Sequence, residues 1–257
     1  MRKLLWAECR KLRRSHMVWI TIFATGMIAA IVFAGGLDVY SGPEVHYGLK
    51  SVQDGMRYLD NAGWYMDEAQ PWATYFVLPA VIALLGSYMI CREEEEDTLK
   101  SLRLIPVDEG KLTAAKMLIA FVFSVFLYLL LFAITFLTEA ALHGAALSAK
   151  LILTTLREYF LDGVGVFLAV SPIIALSARI KKYWLALIFA EVYSMAGLFA
   201  GMVSAIKSIY PIGAVFNLSG YNITTPGKRA VSAAVLLLCG CLSVLLLKRT
   251  GARQEEM

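Results

Sequence analysis

Apolar residues arrive along this chain in blocks rather than singly. Six stretches, residues 17–37, 72–91, 114–137, 163–178, 183–203 and 230–247, are dominated by Leu, Ile, Val, Ala, Phe and Met. A helix of about 20 such residues crosses the hydrocarbon core of a bilayer, which is roughly 30 Å thick, so the pattern predicts six transmembrane helices. The fourth block is short as drawn and is expected to extend upstream through residues 150–162, where Arg157, Glu158 and Asp162 interrupt the apolar run. No run shows the period-two alternation of a barrel wall. The expected fold is all-α and polytopic, with residues 1–257 forming one membrane domain.

The segments between the blocks carry their own patterns. In 38–70, Val45, Leu49, Val52, Met56 and Leu59 recur at steps of four and three, which predicts a helix with one apolar face lying on the outer surface. Tyr40, Tyr47, Tyr58, Trp64, Tyr65, Trp72 and Tyr75 are interleaved there, as amphipathic rings are at a membrane–water boundary. Segment 206–227 carries Pro211, Gly213, Gly220 and Pro226. It is too broken to span but apolar enough to re-enter the membrane where protein shields its backbone.

Composition agrees with the blocks: 59% of residues are hydrophobic and 17% charged, against about 45–50% and about 25% in soluble domains. The net charge of +4 says less than where the charge lies. Arg2, Lys3, Arg10, Lys11, Arg13 and Arg14 precede the first block. Arg92, Lys100, Arg103, Lys111 and Lys116 follow the second, Arg179, Lys181 and Lys182 the fourth, and Lys248, Arg249 and Arg253 the last. These segments all fall on one side, which the excess of Lys and Arg marks as cytosolic, so both termini are expected there. Cys9 and Cys91 then face the cytosolic side and Cys239 and Cys241 lie within a span, which gives no disulfide framework.

The sequence offers no catalytic constellation. Gly110-Lys111 and Gly227-Lys228 lack the glycine pattern of a phosphate-binding loop, and no H-E-x-x-H or G-x-S-x-G occurs. His16, His46 and His143 stand in three different segments, so no metal site is expected. If ATP drives this protein, another chain hydrolyses it.

Chemistry of a different kind is expected at 92–113. Leu99, Leu102 and Ile105 share one helical side, Pro106 stops the helix, and Glu93, Glu94, Glu95, Glu96 and Asp97 crowd a first turn where the backbone dipole favours negative charge. The stretch Glu95-Glu96-Asp97-Thr98-Leu99-Lys100-Ser101-Leu102, then Ile105-Pro106-Val107, then Lys111-Leu112 and Lys116, resembles the cytosolic segment of type-2 ABC exporter permeases. The alternating leucines and basic residues of Met1 to Arg14 resemble the membrane-surface helix of that family, which assigns 1–16 as an interfacial helix. Span number, the proline-broken segment before the last span, and chain length agree across the whole sequence.

The resemblance implies a permease subunit of the bacterial cytoplasmic membrane, working as a homodimer or with a sister permease. A separate cytosolic ATPase would hold ATP and Mg, leaving no cofactor in this chain. Glu93, Glu94, Glu95, Glu96, Asp97, Thr98, Leu99, Leu102 and Arg103 would couple to that ATPase. Compact members with a sizeable first outer segment resemble permeases of bacitracin resistance and lantibiotic self-immunity, so an antimicrobial peptide or amphiphilic antibiotic is the expected cargo. A drug or ion exporter, and a membrane scaffold or sensor without transport, are the alternatives. Nucleic acid is not an expected partner.

Inside the spans, Glu191 stands out near mid-membrane, where a charge costs at least about 2.5 kcal/mol. It is a candidate for the substrate route, with Arg157 as a possible partner. Glu158 and Asp162, four apart on one helical face, are expected to mark the outer end of the fourth span.

Overall fold

The structure is a computed structural model that describes residues 2–36, 51–53, 56–58, 63–95, 109–180, 182–203 and 206–255. Its elements in chain order are α1 (Arg2–Arg13), α2 (His16–Gly35), β1 (Ser51–Gln53), β2 (Met56–Tyr58), α3 (Trp64–Phe76) and α4 (Leu78–Glu95). They continue with α5 (Glu109–His143), a 3-10 turn (Gly144–Ala146), α6 (Ala149–Ile180), α7 (Tyr183–Gly201), α8 (Pro211–Ser219) and α9 (Pro226–Glu255). Five helices (α2, α5, α6, α7 and α9) are each long and apolar enough to cross a membrane. Helices α3 and α4, which meet at a 50° bend, are together long and apolar enough to count as a sixth if the pair is taken as one broken span.

The protein is thus an all-α, multi-pass membrane protein, and the fourth span does extend upstream, running unbroken from Ala149. The outer segment differs from expectation. Val45, Leu49 and Leu59 lie outside the described residues, but Val52 and Met56 belong to a short antiparallel hairpin, not to a helix, with Ser51 opposite Tyr58 and Gln53 opposite Met56. The reason is local: Asp54-Gly55 stands between the two strands, the dipeptide that two-residue hairpin loops favour. The helix of this region begins later, at Trp64, and it runs into the bundle.

Helix α6 is the central post, packed against α5, α9, α8, α4 and α7. Its inner face carries Tyr159, Val166, Ala169, Val170 and Ile174, all fully buried. Close approach is set by Gly163, where an added Cβ would stand 2.8 Å from the Cα of Val125 on α5. Outward faces are apolar, with Trp19 and Phe23 on α2, Val192 and Phe199 on α7, and Leu237 and Leu238 on α9 all exposed. Such surfaces suit lipid rather than water.

Pro71, Pro79 and Pro172 each remove one bond from the helical ladder, and at the last two a hydroxyl repairs it. Pro79 has no N–H for the carbonyl four residues back, Tyr75, so the chain bends at Val77. Ser194 on α7 donates to that carbonyl at 2.9 Å. Pro172 likewise frees the carbonyl of Leu168, to which Ser171 donates at 2.9 Å. An unsatisfied backbone group in hydrocarbon costs several kcal/mol, so each repair is what makes its proline tolerable. The nine-residue α8 opens with Pro211 at its first turn and closes on Gly220 in the left-handed region, φ +99°. It is buried between α6 and α9, with Phe216 against Tyr75 and Tyr221.

Candidate functional site

At one end of the bundle, where α4 ends and α5 begins, four charged side chains converge. Glu93 on α4 and Lys116 on α5 form a direct ion pair, and both are about nineteen-twentieths buried. Glu93 also accepts from Lys11 of α1 at 3.1 Å, and Lys11 donates to Glu8 of its own helix at 2.6 Å. Burial works against the Lys11 charge, but the hydrogen bonds and charges of Glu8 and Glu93 outweigh it and hold its ammonium above the ordinary lysine range. Beneath this cluster Leu12 packs with Leu85, Met89 and Ile119. Helix α1 is therefore clamped by its inner face to α4 and α5. Its outer face leaves Arg2, Lys3, Trp6 and Arg10 exposed, with the Arg10 guanidinium 5.2 Å from the Trp6 ring centre.

The clamp sits at the root of the segment expected to couple to an ATPase. Glu93 is turned inward rather than displayed, while Glu94 and Glu95 finish α4. Glu96, Asp97, Thr98, Leu99, Leu102 and Arg103 lie outside the described residues. Sequence reasoning grouped Glu93 with the acids that follow it. Its partner Lys116 stands 23 residues later, in the first turns of α5 beyond the connecting segment, so only the antiparallel pairing of α4 and α5 brings them together.

Glu191 and Arg157 are not brought together. Each lies eight residues into its helix, but α6 and α7 run in opposite directions, so the two differ in depth by roughly 22 Å at 1.5 Å per residue. Arg157 is exposed near the start of α6. Glu191 is half-buried, with a buried Oε2 that has no hydrogen-bond partner, and Ile188 and Met195, which share its helical face, are exposed.

A second polar assembly was not anticipated. It fills the half of the bundle away from α1, where α3 enters between α5 and α6. Gln70 donates to Asp162 at 2.5 Å, with both side chains fully buried. Thr74 and Tyr128 share a hydrogen bond at 2.8 Å, and the Tyr159 hydroxyl donates to the Met66 carbonyl at 2.5 Å. Nearer that end, the Tyr65 amide donates to Glu139 Oε1 at 2.9 Å, and His143 Nδ1 is 3.0 Å from Glu139 Oε2. Among the described residues no three His, Cys, Asp or Glu side chains gather as metal ligands. The available signal was the spacing Asp67, Gln70, Thr74, which forms one polar helical stripe and matches the Glu158, Asp162 stripe on α6.

Comparison with known proteins adds two findings. Residues 4–197 match the family described as an ABC-2 family transporter protein. A bacitracin transport permease protein, BCRB, from Bacillus licheniformis is 28% identical over 127 residues, which cover 48% of this chain and 61% of that protein. The chain thus spans about three fifths of the length of this relative.

Proposed function

The chain belongs to the ABC-2 transporter family, whose permeases are the membrane-spanning and non-catalytic components, and we propose that it serves as the permease subunit of an ATP-driven exporter. ATP and Mg would be held by a separate cytosolic ATPase, and the transport path would form with a second copy or a sister permease. The proposed cargo is an amphiphilic or peptide antibiotic, an inference supported by the similarity to a bacitracin transport permease across 48% of the chain. The membrane would be the bacterial cytoplasmic membrane, with both termini and α1 on the cytosolic side. Segments 92–113 and 1–16 would face the ATPase and the lipid surface respectively.

The observation that carries this reading is the clamp of Glu93, Lys116 and Lys11 at the root of the coupling segment. A push on residues 96–108 would reach α4 and α5 through their ends and α1 through Lys11, so three helices would move as one body. The 50° bend at Val77 separates α4 from α3, so a tilt of α4 could be taken up there. Glu191 is retained as a candidate on the substrate route. A carboxylate on an outward apolar face is expensive against lipid, which favours a paired half covering this part of α7.

The test is a mild-detergent pull-down of the tagged protein from its native membrane, followed by mass spectrometry. A stoichiometric partner with a phosphate-binding loop is expected, and replacing Leu99 and Leu102 by Ser should abolish its capture while leaving membrane insertion intact. A crosslinked preparation without any ATPase would overturn the assignment.

A further inference from the structure

At the end of the bundle opposite α1, three cations stand without acids. Lys207 lies in the turn between α7 and α8, and Lys228 and Arg229 lie in the first turn of α9. Among the described residues none of the three pairs with a carboxylate. They are held close by a built scaffold rather than by chance. The buried Asn217 of α8 donates through Nδ2 to Ser208, the neighbour of Lys207, at 3.3 Å and to Ser232 of α9 at 3.0 Å. Ser232 donates to the Ser208 carbonyl at 3.1 Å, and Arg229 Nε donates to the Asn217 carbonyl at 3.3 Å. The loop bearing Lys207 is thus stitched to the helix bearing Lys228 and Arg229.

Burial and the nearby charge of Lys228 both push Lys207 below its ordinary value. The hydrogen-bond hub thus gathers Lys207, half-buried, with the exposed Lys228 and Arg229 into one positive patch, whose charge an anion would neutralise. The surroundings describe that anion's other end. Ile206 and Ile209 flank Lys207, Ile223 precedes the Lys228 turn and Val231 follows it, and all four are exposed. Cations set among exposed aliphatic side chains fit an amphiphile with a phosphate head and hydrocarbon tails, not a freely hydrated ion.

We propose that Lys207, Lys228 and Arg229 form a binding site for the phosphate headgroup of an anionic membrane lipid, whose acyl chains lie against Ile206, Ile209, Ile223 and Val231. The site lies past residue 197, where the family match ends. Its placement in the outer leaflet rests on the topology proposed above; the binding itself does not.

The experiment uses the full chain in vesicles of phosphatidylcholine with a graded fraction of phosphatidylglycerol in both leaflets, part of it bearing a photoreactive acyl chain. Crosslinked peptides are mapped by mass spectrometry. Labelling of 206–231 should saturate at low phosphatidylglycerol in the wild type. Lys207→Gln/Lys228→Gln should need roughly thirtyfold more, from about one surface-cation increment for each lysine lost. Lys207→Arg/Lys228→Arg should behave as the wild type, which separates charge from folding. Labelling of α1 should be the same in all three proteins. Equal labelling of 206–231 in the Gln variant, or by a photoreactive phosphatidylcholine, overturns the proposal. Loss of labelling in millimolar inorganic phosphate overturns the lipid assignment in favour of a free-phosphate site. Failure to capture an ATPase would remove the permease reading and leave this result standing.

Discussion

Replacing Lys116 by Met removes a buried cation while keeping a side chain of similar length at the centre of the α1–α4–α5 clamp. Glu93 then stays buried and keeps Lys11, whose side chain is 39% exposed and already shared with Glu8. Removing one member of a buried pair costs about 3–5 kcal/mol, because the surviving charge stays desolvated. The remaining bond from Lys11 offsets part of this, so a loss of about 2–3 kcal/mol is expected. For a chain of this size that corresponds to a Tm lowered by about 5–10 °C. The companion Glu93→Gln/Lys116→Met removes both charges and should recover most of the loss, since apolar or neutral replacement of a whole buried pair is often close to neutral. Thermal unfolding followed by gel filtration in mild detergent measures the series. A spin label on the exposed Cys9 of α1 reports whether that helix stays docked. If the double variant loses as much as the two single variants added together, the pair is not the clamp described and the coupling route through α1 falls with it.

Three further outcomes follow from the packing. Gly163→Leu should be far worse than Gly163→Ala, because even a Cβ stands 2.8 Å from the backbone of Val125; unfolding midpoints that fall with side-chain size are expected, by several kcal/mol for Leu through overpacking. Ser194→Ala strips the donor from the Tyr75 carbonyl at the bend and should lower stability by about 1 kcal/mol, whereas Ser194→Thr should retain it, as read from the same unfolding assay. The raised value of Lys11 means that its contribution is fully present below the ordinary lysine range and is lost only as pH climbs through the folded value. The Cys9 label should therefore report an unchanged α1 from about pH 7 to about pH 9, with release only in stronger alkali.

The membrane architecture was legible because hydrocarbon demands long uninterrupted apolar runs, and α2, α5, α6, α7 and α9 each contain one. The upstream part of α6 was legible too, since Arg157, Glu158 and Asp162 interrupt that run without a Pro or a turn. What escaped was polar burial. Asp67 and Gln70 read as the end of an outer loop because charge near a span boundary is ordinarily solvated, yet α3 buries both and brings Gln70 to Asp162. The hairpin escaped because apolar steps of three and four overshadowed Asp54-Gly55, although that dipeptide is the stronger local signal. Glu191 was visible as a lone acid in a span, but the depth mismatch with Arg157 becomes apparent only once the antiparallel course of α6 and α7 is laid out. The clamp could not be read at all, since nothing along one dimension links Lys11, Glu93 and Lys116.

The polar stripe of α3 has a consequence for how this protein is made. Gln70 finds its partner Asp162 only 92 residues later in the chain, and the Tyr65 amide waits for Glu139, 74 residues on. At translation rates of about 5–20 residues per second, α3 emerges from the ribosome roughly 5–20 s before α6 can receive it. During that interval it carries an acid and an amide with no place in lipid, so it should linger at the translocon or on the membrane surface while α2 is already inserted. The packing of α3 would then be completed only after α6 has been made, as a post-insertion step in which α6 pulls α3 into place.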